Sequence, residues 1–159
     1  MKTIKVGSIS IGPDEPLALI AGPCVIESES LVLRTAEAVQ KIANRLGMPY
    51  ILKSSYTKDN RSSAATFQGF GLDEGLRILE KVRLELGVPV LSDVHNEHEA
   101  IIAGEVLDVI QIPAYLSMQT SLTLAAARTG RAINVKKGQF LDPADMKNVI
   151  AKIEGEGNE

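Results

Sequence analysis

Residues 72–93 read LDEGLRILEKVRLELGVPVLSD and pass from a helical to an extended pattern. Apolar residues first recur every three or four positions, as on one stripe of a helix; they are Leu72, Leu76, Leu79, Val82 and Leu86. Gly87 then favours a helix end, and the apolar run 88–91 is typical of a strand buried on both faces. A helix that leads directly into such a strand predicts an α/β fold.

The same alternation extends along the whole chain, which we interpret as one continuous domain, 1–159. Further buried strands are predicted at 17–21, 50–52, 107–112 and 132–135, and a β-hairpin at 3–11. Strands that alternate with helices pair in parallel through right-handed crossovers. This leaves an open doubly wound sheet or part of a (β/α)₈ barrel, because a closed barrel takes about 250 residues and about five βα units fit here.

Two further helices have defined ends in the sequence. Ser28 is a predicted N-cap and Gly47 a predicted stop for helix 29–46, and Asp142-Pro143 predicts the start of another helix. The residues expected to face the core are Val32, Ala36, Val39, Ala43 and Leu46 in the first helix, and Met146, Val149, Ile150 and Ile153 in the second.

Composition limits the function classes. The chain has 45% hydrophobic residues and a net charge of -3, so we expect no nucleic-acid or anionic-membrane partner, which would need a broad basic face. It contains neither an apolar run of about 18 residues nor a signal-peptide pattern at residues 1–5. We therefore expect a cytoplasmic protein. Cys24, the single cysteine, cannot form an internal disulfide.

Polar residues follow each predicted strand, at the edge where α/β enzymes build their sites. Residues 53–63, KSSYTKDNRSS, combine cations and hydroxyls that can bind a dianion, although a solvated loop is the alternative. Asp93 and His95 could hold a hydroxyl or transfer a proton, but Asp93 could equally cap the next helix. Lys136-Lys137-Gly138 suits a phosphate or carboxylate, or is simply solvated. Cys24 is either a soft metal ligand or a small buried hydrophobe.

Five motifs in combination resemble the 3-deoxy-D-manno-octulosonate 8-phosphate synthases. They are AGPC at 21–24 with Glu27-Ser28, KSS at 53–55, NRSS at 60–63, QIPA at 111–114 and NVKKGQF at 134–140. The similarity extends from about residue 17 to residue 153. The related 3-deoxy-D-arabino-heptulosonate 7-phosphate synthases share the Gly-Pro-Cys turn, but usually follow the second-strand lysine with an Arg-Thr type sequence.

The resemblance implies a (β/α)₈ barrel, usually a homotetramer, that condenses phosphoenolpyruvate with D-arabinose 5-phosphate for the lipopolysaccharide inner core. It implies a phosphoenolpyruvate site formed by Lys53, Ser55, Gln111, Pro113, Ala114 and Lys136. It implies an arabinose 5-phosphate site formed by Lys58, Asn60, Arg61, Ser62 and Asp93. The predicted catalytic residues are Lys53, Asp93, His95 and Lys136.

The family has a metal-dependent class with Cys at the position of Cys24 and a metal-independent class with Asn. The resemblance therefore implies that Cys24 binds a divalent metal, Zn²⁺, Fe²⁺ or Mn²⁺. The remaining ligands of the family, a His, a Glu and an Asp, are expected beyond residue 159.

One position departs from the family pattern. Met118 stands where an Arg is usual, and it cannot supply that positive charge. Two other hypotheses therefore stay open. The chain could be a heptulosonate-type synthase that uses another aldose phosphate, or a half-barrel that acts as a binding or scaffold protein without turnover.

Overall fold

The hairpin predicted for residues 3–11 is confirmed. A computed structural model describes residues 2–63 and 65–158, and its first elements are strand β1, Ile4–Val6, and strand β2, Ile9–Ile11, paired antiparallel. Gly7 lies in the turn between them at φ 57°, a left-handed conformation that glycine adopts without steric cost.

Five parallel strands form the main sheet in the same order as in the sequence. They are β3 (Leu19–Ala21), β4 (Tyr50–Lys53), β5 (Val90–Asp93), β6 (Val109–Ile112) and β7 (Ala132–Val135). A doubly wound sheet reverses its strand order at a switch point, whereas this sheet does not. The α/β prediction is confirmed, and the sequential order is that of part of a (β/α) barrel.

A helix follows every strand of this sheet. The helices are α1 (Glu29–Arg45), α2 (Leu72–Leu86), α3 (Glu97–Val106), α4 (Thr120–Arg128) and α5 (Met146–Gly155). Each helix contacts the next one along the chain. Two short 3-10 helices, Ala114–Leu116 and Pro143–Asp145, precede α4 and α5. Among the described residues, no helix combines the length and the apolarity needed to cross a bilayer.

The two faces of the sheet bury different clusters. The outer face, which carries Leu52 and Ile110, packs against the helices in the larger core. The inner face carries Ile51, Leu91 and Val109, which pack with residues of the hairpin. Because side chains on a strand alternate between faces, residues two positions further along lie on this inner face as well. The hairpin thus covers one end of the inner face and leaves the carboxyl ends of the strands free.

The helix ends predicted at Ser28, Gly47 and Gly87 are correct to within one residue, whereas Asp142-Pro143 opens a 3-10 helix and α5 begins only at Met146. Ser28 Oγ accepts a hydrogen bond from Leu31 N, and Gly87 ends α2 in the left-handed conformation. Two of the predicted core residues are not buried. Leu46 is 62% exposed because α1 has already ended at Arg45, and Ile150 is 52% exposed because α5 buries Val149 instead.

Three strand starts were also predicted two residues too early, at 17, 88 and 107. Strand β3 begins at Leu19, and Leu17 is 78% exposed. Proline at position 89 has no N–H to donate to a strand ladder, and β5 begins at Val90. Leu107 is the residue that ends α3. Because β5 begins and ends two residues later than predicted, Asp93 is its last residue.

Candidate functional site

A cleft of about 850 Å³ opens at the carboxyl ends of the strands. Most of the predicted site residues line it: Cys24, Lys53, Lys58, Asn60, Asp93, His95, Gln111, Pro113, Ala114 and Lys136. Lys137, the second lysine of the predicted anion-binding pair, lines it as well. Other lining residues were not predicted as site residues: Ile20, Ala21, Gly22, Asp59, Tyr115, Leu116 and Gln139. Their position next to predicted residues was the only signal, since sequence order does not show which side chains turn inward.

Asp93 is the centre of the polar network in this cleft. It is 5% exposed, and its Oδ1 accepts hydrogen bonds from Ser55 Oγ at 2.9 Å and Gln111 Nε2 at 3.4 Å. Lys53 Nζ lies 3.3 Å from Oδ1 and Lys58 Nζ 3.9 Å from Oδ2. A buried carboxylate needs such partners, because burial otherwise penalises its charge.

The alternative that Asp93 caps α3 is wrong. The N-cap of α3 is Asn96, whose Oδ1 accepts a hydrogen bond from Glu99 N at 2.9 Å. Asp93 is three positions earlier and still within β5. Its carboxylate is therefore available to the cleft.

Strand register connects the polar side chains across the sheet. Asp93 pairs with Gln111, and Gln111 pairs with Asn134. Asn134 Nδ2 donates to Gln111 Oε1 at 2.9 Å, which leaves Gln111 Nε2 directed towards Asp93. Asn134 belongs to a quoted motif but was not predicted as a site residue. The network fixes the orientation of the Gln111 amide at the floor of the cleft.

The cleft is positively charged although the chain is acidic. Four lysines and two aspartates line it. Lys53 and Lys58 face Asp93, and Lys137 Nζ donates to the carbonyls of Gly138 and Leu141 at 2.9 and 3.0 Å. Lys136 makes no ion pair or side-chain hydrogen bond with any residue in 2–63 or 65–158. Lys136 is therefore free to bind an anion from solution.

Three predicted site residues do not line the cleft. Ser55 is fully buried beneath it, where its Oγ accepts a hydrogen bond from Lys53 Nζ at 2.7 Å. Arg61 and Ser62 belong to the loop after β4 and are not part of the wall. Arg61 is half-buried, and its Nε is buried without a hydrogen-bond partner in the described part of the chain.

Cys24 lies at the exposed rim of the cleft. The turn that carries it packs tightly on β4, because a Cβ on Gly22 would lie 2.1 Å from the Lys53 carbonyl oxygen. An exposed thiol fits the role of one soft metal ligand. In the ranges 2–63 and 65–158, however, no three His, Cys, Asp or Glu side chains gather to hold a metal ion. In that part of the chain the Cys24 thiol thus stands without a set of neighbouring ligands.

A second polar cluster borders the cleft and was missed. Glu99 Oε2 accepts hydrogen bonds from Tyr56 Oη at 2.7 Å and from His95 Nδ1 at 2.9 Å. Burial raises the pKa of the Glu99 carboxyl, but the hydrogen bonds from Tyr56 and His95 outweigh it and hold this pKa below its ordinary value. The readable signal was Asn96 followed three residues later by Glu99, since a glutamate at that position of a helix start reaches back to the backbone just before the helix.

Comparison with known proteins places this site in a family. Residues 2–159 match the model of the DAHP synthetase I family. A protein of Trichlorobacter lovleyi named 2-dehydro-3-deoxyphosphooctonate aldolase is 57% identical over 99% of this chain and 58% of its own length. Proteins of the same name from Geotalea daltonii and a Synechococcus strain are 57% and 54% identical, over 100% and 98% of this chain. The chain spans 58% and 55% of their lengths. The chain belongs to the DAHP synthetase I family.

Proposed function

We propose that the chain is part of an enzyme that condenses phosphoenolpyruvate with D-arabinose 5-phosphate, giving 3-deoxy-D-manno-octulosonate 8-phosphate and phosphate. The observation that carries this proposal is the lysine-rich cleft around Asp93 at the strand ends. Two anionic substrates repel each other, and fixed cations offset that repulsion and orient the reacting carbons. The name of the most similar relatives supports the same reaction.

The proposed reaction balances without a redox partner. Carbon 3 of phosphoenolpyruvate forms a bond with the aldehyde carbon of the sugar, and the aldehyde oxygen gains a proton. Water adds its oxygen to carbon 2, and one of its two protons balances the proton gained by the aldehyde oxygen. The bond between carbon 2 and the phosphate oxygen then breaks as the second proton is lost to the phosphate, so carbon 2 becomes a keto carbon. The electron pair of that bond leaves with inorganic phosphate.

Phosphoenolpyruvate would lie between Lys53 and Lys136. Lys53 has a fixed position because Ser55 and Asp93 hold its ammonium group. The ammonium group of Lys136 forms no ion pair or hydrogen bond with any of the described residues. Gln111, Pro113 and Ala114 would complete this part of the site. A preorganised ammonium group stabilises a developing negative charge more than a mobile one does.

Arabinose 5-phosphate would occupy the side of the cleft near the loop after β4. Lys58 and Asn60 line the wall there, and Asp93 would accept a sugar hydroxyl. Arg61 and Ser62 follow directly in the same loop, so a small turn of the loop would bring them to the sugar phosphate. The buried Nε of Arg61, which has no hydrogen-bond partner among the described residues, supports this role, since a buried donor without a partner is unfavourable.

The larger assembly is also part of the proposal. We infer a complete (β/α)₈ barrel, a homotetramer and a cytoplasmic enzyme of lipopolysaccharide inner-core synthesis, with small phosphorylated molecules as its substrates and neither nucleic acid nor membrane as a partner. These inferences rest on the sequential parallel strands and on the relatives. Met118, which is 47% exposed, leaves a neutral side chain where the resemblance suggests an arginine.

A substrate comparison tests this function. We expect the complete enzyme that contains this chain, once purified, to bind phosphoenolpyruvate, and to release inorganic phosphate with arabinose 5-phosphate but not with erythrose 4-phosphate. Calorimetry measures the binding and a colorimetric phosphate assay the release. Release with erythrose 4-phosphate alone would favour the heptulosonate-type synthase. Binding without any release would favour the half-barrel binding protein, and no binding would contradict the whole proposal.

The metal role of Cys24 is tested separately from turnover. A bound divalent metal would orient the aldehyde or activate water, and Cys24 would hold it through its thiolate. We expect added Co²⁺ to give a thiolate-to-metal absorption band with the wild-type protein and none with Cys24→Ala. His98→Ala is the control, because His98 is exposed and outside the cleft. If turnover persists unchanged after chelation, the metal assignment fails.

A further inference from the structure

A partly buried carboxylate, that of Glu99, accepts four hydrogen bonds beside the cleft, and the proposed substrate contacts do not use it. Glu99 Oε2 accepts from Tyr56 Oη, from His95 N at 3.0 Å and from His95 Nδ1. Its other oxygen, Oε1, accepts from Asn96 Nδ2 at 2.9 Å. Every contact of this carboxylate is thus a donated hydrogen bond, which is the pattern of an ionised group.

The position of His95 is fixed on two sides. Its ring packs edge-to-face on Tyr56, with ring centroids 6.1 Å apart at 87°. Tyr56 is fully buried, so it cannot move aside. Glu99 lies four residues after His95 in the first turn of α3, where its backbone N–H is held by Asn96. The residues after β4 and β5 and the first turn of α3 therefore together hold the His95 ring in one position.

Chemistry assigns the proton on the imidazole ring. A carboxylate only accepts hydrogen bonds, so the proton at the contact with Glu99 belongs to His95 Nδ1. The other ring nitrogen, Nε2, has no hydrogen-bond partner within the described part of the chain and is not among its buried unpartnered atoms. Because His95 lines the cleft, the ring in its neutral form offers Nε2 there as an acceptor.

We propose that Glu99 is a positioning residue that locks His95 in the Nδ1–H tautomer and presents Nε2 to the cleft as a hydrogen-bond acceptor. The ligand class that fits an accepting nitrogen is a hydroxyl donor, either a sugar hydroxyl or water. The ligand class assigned to Nε2 rests on the proposed function, whereas the tautomer of His95 does not. Tyr56 supports the carboxylate from below and does not touch the cleft.

Nitrogen-15 NMR tests the tautomer directly. The chain has two histidines, and the exposed His98 is an internal reference for an unconstrained ring. In the ¹⁵N-histidine-labelled protein above neutral pH, we expect His95 to show the Nδ1–H pattern and His98 the Nε2–H form that dominates in water. In Glu99→Gln, we expect the ratio of Nδ1–H to Nε2–H at His95 to fall about tenfold or more, because a charged acceptor is lost.

Two control variants separate positioning from general destabilisation. Glu97→Gln removes a carboxylate from the same helix turn, where it is exposed, and should leave the His95 tautomer unchanged. Tyr56→Phe removes one donor to Glu99 but keeps the His95 contact, so it should lower stability and preserve the tautomer. The proposal is overturned if Glu99→Gln leaves the ratio unchanged or if Glu97→Gln changes it equally.

Adding substrate to the same labelled sample tests the ligand class independently. Arabinose 5-phosphate should move the His95 Nε2 resonance and leave His98 in place. If the tautomer is as expected but the sugar phosphate has no effect on Nε2, then the assignment of a sugar hydroxyl to Nε2 fails while the positioning role of Glu99 stands. If the sugar phosphate moves Nε2 in a protein whose His95 is not Nδ1–H, the positioning role fails instead.

Discussion

Replacing Lys53 with methionine is expected to weaken phosphoenolpyruvate binding by roughly 100-fold, because removing one member of a close charge pair costs about 2–5 kcal/mol. Methionine keeps most of the side-chain length but has neither the charge nor the three donors of the ammonium group. Lys53 is held by Ser55 Oγ at 2.7 Å and lies 3.3 Å from Asp93 Oδ1. Isothermal calorimetry on the purified protein measures the affinity.

The matched control for this variant is Lys41→Met. It removes the same charge from an exposed position on α1, where Lys41 Nζ pairs with Glu37 at 2.7 Å. Exposed pairs of this kind contribute little, so phosphoenolpyruvate affinity should stay within about twofold of wild type. Equal losses in both variants would mean that overall charge, and not a defined contact at Lys53, attracts the ligand. Full affinity in Lys53→Met would place the ligand elsewhere.

Lys53→Met has a second expected effect, on the state of Asp93. The buried carboxylate would lose its closest cation and keep only Lys58 at 3.9 Å. Circular dichroism must therefore establish that the variant is folded at the temperature of the titration. Asp93→Asn combined with Lys53→Met should recover some of the lost stability, because the uncompensated buried charge is gone. It should not recover binding, since the missing ammonium group is not replaced.

Gly75→Ala is expected to destabilise the fold by about 1–3 kcal/mol, although alanine favours helices over glycine by up to about 1 kcal/mol. A Cβ at position 75 would lie 2.2 Å from Tyr56 Cβ and 3.0 Å from Tyr56 Cα. Tyr56 is fully buried and its hydroxyl group is bound to Glu99. Helix α2 and the chain after β4 must therefore move apart. Urea unfolding followed by circular dichroism measures the free energy of unfolding.

Gly155→Ala makes the same change in another helix where space is open. A Cβ at position 155 would meet no atom within 4 Å. Only the helix preference then remains, so the free energy of unfolding should be unchanged or up to about 1 kcal/mol higher. The two substitutions should thus have opposite signs. A stabilised Gly75→Ala protein would show that Tyr56 is not held as tightly as its contacts indicate.

The cleft and the core are built from the same strands. On β4, β5 and β6 the inner face carries an apolar residue towards the hairpin, Ile51, Leu91 or Val109. Two positions later the same face carries Lys53, Asp93 or Gln111 into the cleft. Strand alternation therefore places a polar layer directly above an apolar floor. This explains why a short hairpin can support the site without contributing a residue to it.

The sequence by itself determined the elements and the residue types at the site. Apolar residues three or four positions apart predicted helices, and short apolar runs predicted strands, because a helix and a strand bury their side chains at different spacings. Ser28 and Gly87 marked helix ends through local hydrogen bonding and backbone conformation, which depend only on neighbouring residues. The motifs at the strand ends were sufficient to find the family, and most predicted site residues line one cleft.

Only the tertiary structure decided which side chains meet. The sequence left Asp93 open between a helix cap and the cleft, and the pairing of β4 with β5 resolved this by bringing Ser55 and Lys53 to its carboxylate. Residue types alone did not show which of Lys136 and Lys137 has an unpaired side chain among the described residues. They also did not reveal that Tyr56 and His95 both donate hydrogen bonds to Glu99. Local patterns specify the face on which a side chain lies. Its partners come from distant segments, and strand register and loop path bring those segments together.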